Sequence, residues 1–434
     1  MASETRAAPT LVRAMGRWTL AALVVNAIVG SGIFGLPSVV ARHLGPLAPW
    51  AWIAGAAGNG VVMLCFAEVA SRFSGAGGAY LYARAALPRL LAIQVGWLAY
   101  LTRLSAAAAG ANLFTDNLVE FLPSVEAEAV RIALLTLLLG TLAAINYRGV
   151  RQGARTSNLF TVAKLVPLAI FLVAGGLWAA THELERVAAA APPSAPDWLR
   201  ATLLIAFAYG GYDGAMMAMG EARDPRRDAP FALVGAMLFL AALYTGVQLV
   251  VDATLADPAA SSRPLAAAAR VFLGPFGGGL LAAGALVSVV GFLGANFLGA
   301  PRLSYALAEH RDLPAAFADV HPRFRTPHVS IAVFALLVWG LAIYGNFEWN
   351  ATLSAVSRLF VYGSTCVALV VLRRRGAEEA QLRLPGGPIL AALGIGFCAL
   401  LASRMGRAEL TILVVVALVA LVHWSLVRRR NPEV

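Results

Sequence analysis

Two short stretches of this chain hold residues whose backbone could do chemistry. One reads Asn26-Ala-Ile-Val-Gly30-Ser31-Gly32-Ile33-Phe34-Gly35, the other Phe207-Ala-Tyr209-Gly210-Gly211-Tyr212-Asp213-Gly214, and each lies inside an apolar run, at 18–41 and 199–220. Glycine in a helix interior costs about 1 kcal/mol relative to alanine, so clusters this dense predict interrupted helices. Close helix packing through small residues is the other reading open at this point. An interruption in an apolar medium frees N–H and C=O groups that hydrocarbon cannot satisfy, and these must face a cavity and its ligand. Amides at a half-helix N-terminus suit a carboxylate, and freed carbonyls suit an ammonium.

The ionisable residues add a second layer. Lysine and arginine total 34, yet lysine occurs once, at Lys164, within the apolar stretch Asn158-Leu-Phe-Thr161-Val-Ala-Lys164-Leu-Val-Pro167. An ionisable group at that depth is a functional-site candidate by default, and lysine, unlike arginine, can lose its proton when desolvated. The bland reading is a side chain snorkelling to the interface. Ser288 is a candidate partner for Lys164. Arg103 also falls inside an apolar run, where its charge must face the interior or a water path, paired with Asp213 or with backbone carbonyls. Glu68 and Glu221 end helices beside arginines and read as gate ion pairs, whereas Asp116 and Glu120 read as solvated. Cys65, Cys366 and Cys398 all sit in apolar runs, and the six histidines have no ligand spacing. That pattern supports neither a disulfide framework nor a metal site, and no cofactor motif is present.

The elements that must hold these residues follow from composition. The 434 residues are 59% hydrophobic and 13% charged, against about half and about a quarter in a soluble domain. A bilayer core needs about 20 residues of helix, and twelve apolar runs of that order occur, near 18–41, 48–71, 90–119, 129–147, 156–178, 199–220, 231–254, 271–300, 328–345, 349–372, 386–404 and 408–427. With both termini cytoplasmic, 23 arginines fall on that side and nine outside, Arg358 counted among the nine. Such a bias orients a membrane protein, so the net charge of +11 is no sign of nucleic-acid binding. The polar segment 1–17 reads as a cytoplasmic tail rather than a signal peptide, and 428–434 as a second tail. Spans one and six are five apart, an odd number, so five-helix units over 18–178 and 199–372 would be inverted relative to each other, with two further helices over 386–427. Interrupted helices at equivalent positions of inverted halves point to a transporter's substrate site. An enzyme would need acids, histidines or a metal clustered at one interface, and a channel charged rings or a repeated filter; the sequence offers neither.

The motifs match a known pattern. Val29-Gly30-Ser31-Gly32-Ile33-Phe34, Glu68-Val-Ala-Ser-Arg72-Phe, Gly77-Gly78-Ala-Tyr80 and Phe207-Ala-Tyr209-Gly210-Gly211-Tyr212-Asp213 resemble the amino acid–polyamine–organocation family of transporters. So do Glu221-Ala-Arg-Asp224-Pro225-Arg226-Arg227-Asp-Ala-Pro230, with Asp224 where the family pattern has Asn, and the connection from Arg302 and Tyr305 to Thr326-Pro327. The resemblance implies an all-α membrane protein of LeuT type, with twelve helices as a 5+5 inverted repeat plus two. It implies amides of Gly30, Ser31 and Gly32 on a substrate carboxylate, and carbonyls of Ile28, Phe207 and Gly210 on its ammonium. Phe207 would cap the substrate, Asp213 would replace a glutamate, and Lys164 would occupy the place of a sodium ion. The expected function is sodium-independent, proton-coupled symport of a neutral amino acid in the cytoplasmic (inner) membrane, by rocking of spans one, two, six and seven against the rest. The alternative is an exchanger of cationic amino acids or polyamines. The expected partners are the amino acid, the bilayer and protons, with no cofactor and no nucleic acid.

Overall fold

A computed structural model of the chain describes residues 16–73, 78–149, 154–182, 192–213, 224–376 and 380–430. Among these the protein is helical, with no strand. The first apolar run folds as two helices, α1 (Arg17–Ile28) and α2 (Gly32–Leu44), because Val29 leaves helical backbone at φ −67°, ψ 98°. The interruption covers Val29–Ser31, shorter than the glycine spacing suggests, since α2 resumes at Gly32 and carries Gly35 and Pro37 inside it. A tight turn leads to α3 (Ala48–Ala70), followed by short α4 (Gly78–Ala86), long α5 (Arg89–Leu118), α6 (Glu128–Arg148) and α7 (Ala154–Ala179).

The sixth apolar run is also split. Helix α8 (Ala195–Ala208) starts on a capping box in which the Ser194 amide donates to Asp197 Oδ2 at 2.9 Å. It stops at Tyr209, and helical backbone restarts at Tyr212–Asp213; the rest of the expected span, with Glu221, lies outside the described residues. Then come α9 (Pro225–Thr254), α10 (Pro264–Glu309, broken at Gly274 with φ 64°), α11 (His328–Tyr344), α12 (Phe347–Arg374), α13 (Gly387–Ala402) and α14 (Arg407–Arg430). Asp224 caps α9 by accepting from the Arg227 amide, a role in which asparagine and aspartate are equivalent. Asn346, accepting from the Trp349 amide at 2.8 Å, separates α12 from the short α11.

Eight helical segments of the described residues are long and apolar enough to cross a membrane; α1, α11 and α13 are shorter apolar helices. The helices pack in two groups. Helix α1 runs along α9, α9 lies on α3, and α2 lies on α8. Helix α5 is the axis of the other group, with α12 and α10 against it and α7 on α10. The run Ala106–Ala111 in α5 is wholly buried, and such small side chains let neighbouring helices approach closely. Leu177, Leu238, Leu336, Val173 and Val422 face outward, as a lipid-facing belt requires.

Candidate functional site

The two interruptions meet. A Cβ on Gly32 would lie 2.8 Å from both Cα and Cβ of Ala208, so the start of α2 touches the end of α8. Gly211, at φ +107°, sits with its Cα over the end of α1, where a Cβ would stand 2.6 Å from the Ala27 carbonyl oxygen. Only glycine takes that backbone without strain. At the first break, the amides of Gly30 and Ser31 make no backbone hydrogen bond among the described residues. The Ser31 hydroxyl is buried and unpartnered there too. Buried donors left this way are rare and call for a partner.

Cations line the other sides. Lys164, 6% exposed on α7, donates from Nζ to the carbonyls of Asn26 at 2.7 Å and Val29 at 2.6 Å. These are the acceptors that the end of α1 releases, so the bonds bind Lys164 to the break and do not follow the snorkelling reading. Ser288 is not the partner expected for it: its hydroxyl is buried with no hydrogen bond among the described residues, because backbone carbonyls have taken the ammonium. Arg103 on α5 pairs with Asp213, Nη2 to Oδ2 at 3.0 Å, and Tyr362 Oη donates to Asp213 Oδ1 at 3.4 Å. Of the two partners open for Arg103, the structure has the carboxylate.

Arg358 corrects the charge count. Placed with the outer arginines by sequence, it lies within α12 and is buried at 9% exposure. Its Nη1 donates to the Phe207 carbonyl at 3.2 Å, and its Cζ stands 5.9 Å from the Phe207 ring centre. The guanidinium fills the space in front of Gly210, where any Cβ would collide with it. Of the carbonyls expected to hold an ammonium, Phe207 thus already has a cation. Among the described residues the Ile28 carbonyl accepts a long bond from Tyr244 Oη at 3.5 Å. Sequence gives one clue to Arg358, its position ten residues inside an apolar run; nothing in it points to a backbone oxygen as the partner.

Two further sets of contacts flank the breaks. At one end Glu68, fully buried, accepts from Arg373 Nε at 2.6 Å and Nη2 at 2.5 Å, from Arg72 at 3.4 Å and from the Leu384 amide at 2.9 Å. Just beyond, Tyr80 donates to Asp312, which also receives Arg89 at 3.1 Å; burial and that carboxylate push the Tyr80 phenol up. At the other end a cavity of about 550 Å³ is lined by Asn112, Asp116, Arg131, Arg263 and Phe347 among others. Phe347 meets Phe207 edge-on, ring centres 6.2 Å apart, and Arg42 on α2 pairs with Glu348 on α12 at 2.8 Å. Glu120, expected in solvent, is instead held by Arg263 at 3.0 Å and by Arg270, because α10 brings both guanidinia over the end of α5.

The Glu68 clamp makes a prediction. Removing one partner of a buried pair costs about 3–5 kcal/mol, so Glu68→Gln is expected to loosen α3 from α12. Cys65, buried one turn before Glu68, serves as the reporter. Its alkylation by a membrane-permeant maleimide, mapped by mass spectrometry, should accelerate roughly tenfold or more, and unchanged protection would show that the clamp holds nothing shut.

Paired interrupted helices, backbone acceptors held by buried cations and an apolar outer belt define an all-helical integral membrane protein. Residues 15–425 match the family model described as amino acid permease, and the chain belongs to that family, within the amino acid–polyamine–organocation superfamily. It is 26% identical over 444 residues to the methylthioribose transporter of Bacillus subtilis (strain 168), covering 97% of this chain and 95% of that one. It is 28% identical over 391 residues to the serine/threonine exchanger SteT of the same organism (86% and 87%). It is 27% identical over 412 residues to cationic amino acid transporter 4 of Mus musculus (90% and 64%).

Proposed function

We propose that the chain is a secondary amino-acid transporter that works by alternating access, independent of sodium and coupled to protons. The observation that carries this reading is the meeting of two helix breaks, Gly32 against Ala208 and Gly211 against Ala27, beside a Ser31 hydroxyl and amides that lack partners. The substrate carboxylate lies on the amides of Gly30, Ser31 and Gly32, with Phe207 above it and the Ile28 and Gly210 carbonyls left for its ammonium. We read the fold as twelve crossings in a 5+5 inverted repeat plus two helices, with both ends on the arginine-rich cytoplasmic side of the inner membrane. The units are 18–178, 199–372 and 386–427. Spans one, two, six and seven move as one body, Glu68 and Glu221 closing the cytoplasmic side.

Sodium independence follows from Lys164. Its ammonium binds the two carbonyls freed at the first break, and a metal cation there would meet both a like charge and oxygens already engaged. The cationic-substrate alternative needs the Asp213 carboxylate, which Arg103 and Tyr362 hold. The substrate side chain is therefore not cationic.

The test is uptake of labelled amino acids into liposomes containing the purified protein, with choline replacing sodium and with or without an inward proton gradient. Uptake should be unchanged by choline and accumulation should rise with the gradient. A strict sodium requirement would overturn the coupling. Vesicles without internal amino acid separate symport from exchange, since an exchanger stays idle in them.

A further inference from the structure

A count of donors and acceptors at the breaks points to a substrate with more acceptors than donors. Four backbone oxygens at the breaks already have donors: Asn26 and Val29 from Lys164, Phe207 from Arg358 and from the Gly210 amide at 3.2 Å, and Ile28 from Tyr244 over a long bond, which leaves the Gly210 oxygen outside these bonds. Donors are in surplus: the amides of Gly30 and Ser31, the Ser31 hydroxyl and the Arg358 guanidinium. The charges lean the same way. Arg103 and Asp213 neutralise each other, whereas Lys164 and Arg358 have no carboxylate partner among the described residues. A buried charge inside a membrane is stable when paired, and a single carbonyl dipole is a poor counter-ion for a guanidinium that can grip a carboxylate with two parallel bonds.

We propose that Arg358 is a second anion subsite, so that the substrate is an amino acid with a carboxylate side chain. The α-carboxylate sits on the start of α2, and the side-chain carboxylate draws Arg358 off the Phe207 carbonyl, which then joins the Ile28 and Gly210 carbonyls in accepting from the substrate ammonium. This rests on the transport reading above and narrows its substrate to an acid. Because Arg358 belongs to α12 and Phe207 to α8, the exchange of partners would also loosen one bridge between the two helix groups as substrate binds.

The test uses the wild-type protein in liposomes with labelled glutamate, aspartate, glutamine, asparagine and arginine. Charge-assisted bonds to a carboxylate are lost when its amide replaces it, so each acid should half-saturate uptake at a concentration roughly tenfold or more below that of its amide. Arg358→Gln should shrink that ratio to near unity, and Arg358→Lys should retain part of it. If the amide equals or exceeds the acid in the wild type, or if the ratio survives Arg358→Gln, the subsite is wrong. The wild-type comparison decides the matter even where the variants fail to fold. Movement of neutral amino acids without acids would remove this inference and leave the transport reading standing, whereas movement of no amino acid would remove both.

Discussion

Replacement of Lys164 by alanine should abolish pH-driven accumulation while leaving the protein in the membrane. The side chain spans from α7 to the end of α1 and satisfies two carbonyls at once. Each buried acceptor left without a donor costs about 1–3 kcal/mol. A loss of even about 3 kcal/mol in the step that needs this geometry is more than a hundredfold in rate. Lys164→Arg separates two roles, since guanidinium keeps a charge and donors but cannot release a proton. Exchange that persists in the arginine variant while accumulation is lost would assign proton traffic to Lys164. Wild-type accumulation in the alanine variant, measured at matched protein in the membrane, would take the coupling role from this residue.

Gly32→Val should remove substrate binding with little effect on membrane insertion. The first added carbon would stand 2.8 Å from the backbone of Ala208, and backbone cannot rotate aside as a long side chain can. Overpacking of this kind costs about 1–3 kcal/mol, and here the strain falls on the contact that holds the breaks together. The expected result is a rise of roughly tenfold or more in the half-saturating concentration of every substrate the wild type takes. Unchanged affinity would mean that the α2–α8 contact is not where the substrate lies.

What was legible in the sequence was what costs energy in lipid. Glycine clusters at 30–32 and 210–211 are expensive inside helices, so the interruptions could be anticipated, though not that α2 would restart at Gly32 with Gly35 inside it. Lys164 stood out because one lysine among so many arginines needs a reason. Arg358 did not, because arginine counts are read as orientation, and its partner is a backbone oxygen exposed by a break about 150 residues away. The assignment of Ser288 failed for a related reason: the carbonyls that displaced it as the Lys164 partner have no side chain to mark them. Glu120 reads as solvated in the sequence because its two arginines come from the start of α10, 143 and 150 residues away, a distance that local charge patterns do not span. Glu221 falls outside the described residues, so of the two carboxylates expected to form gate ion pairs only Glu68 is described with its arginine partners.

Arg103, Lys164 and Arg358 are carried by α5, α7 and α12, while Asp213 follows α8. If the group containing α8 is the one that rocks, the three positive charges stay where they are while Asp213 moves relative to its Arg103 partner. A full traverse of one elementary charge is worth about 2.3 kcal/mol per 100 mV, and a short excursion a proportionate fraction. Turnover would then respond to membrane voltage in part through Asp213, and an asparagine at that position would remove that part while leaving the charge carried by the cargo and its coupled proton.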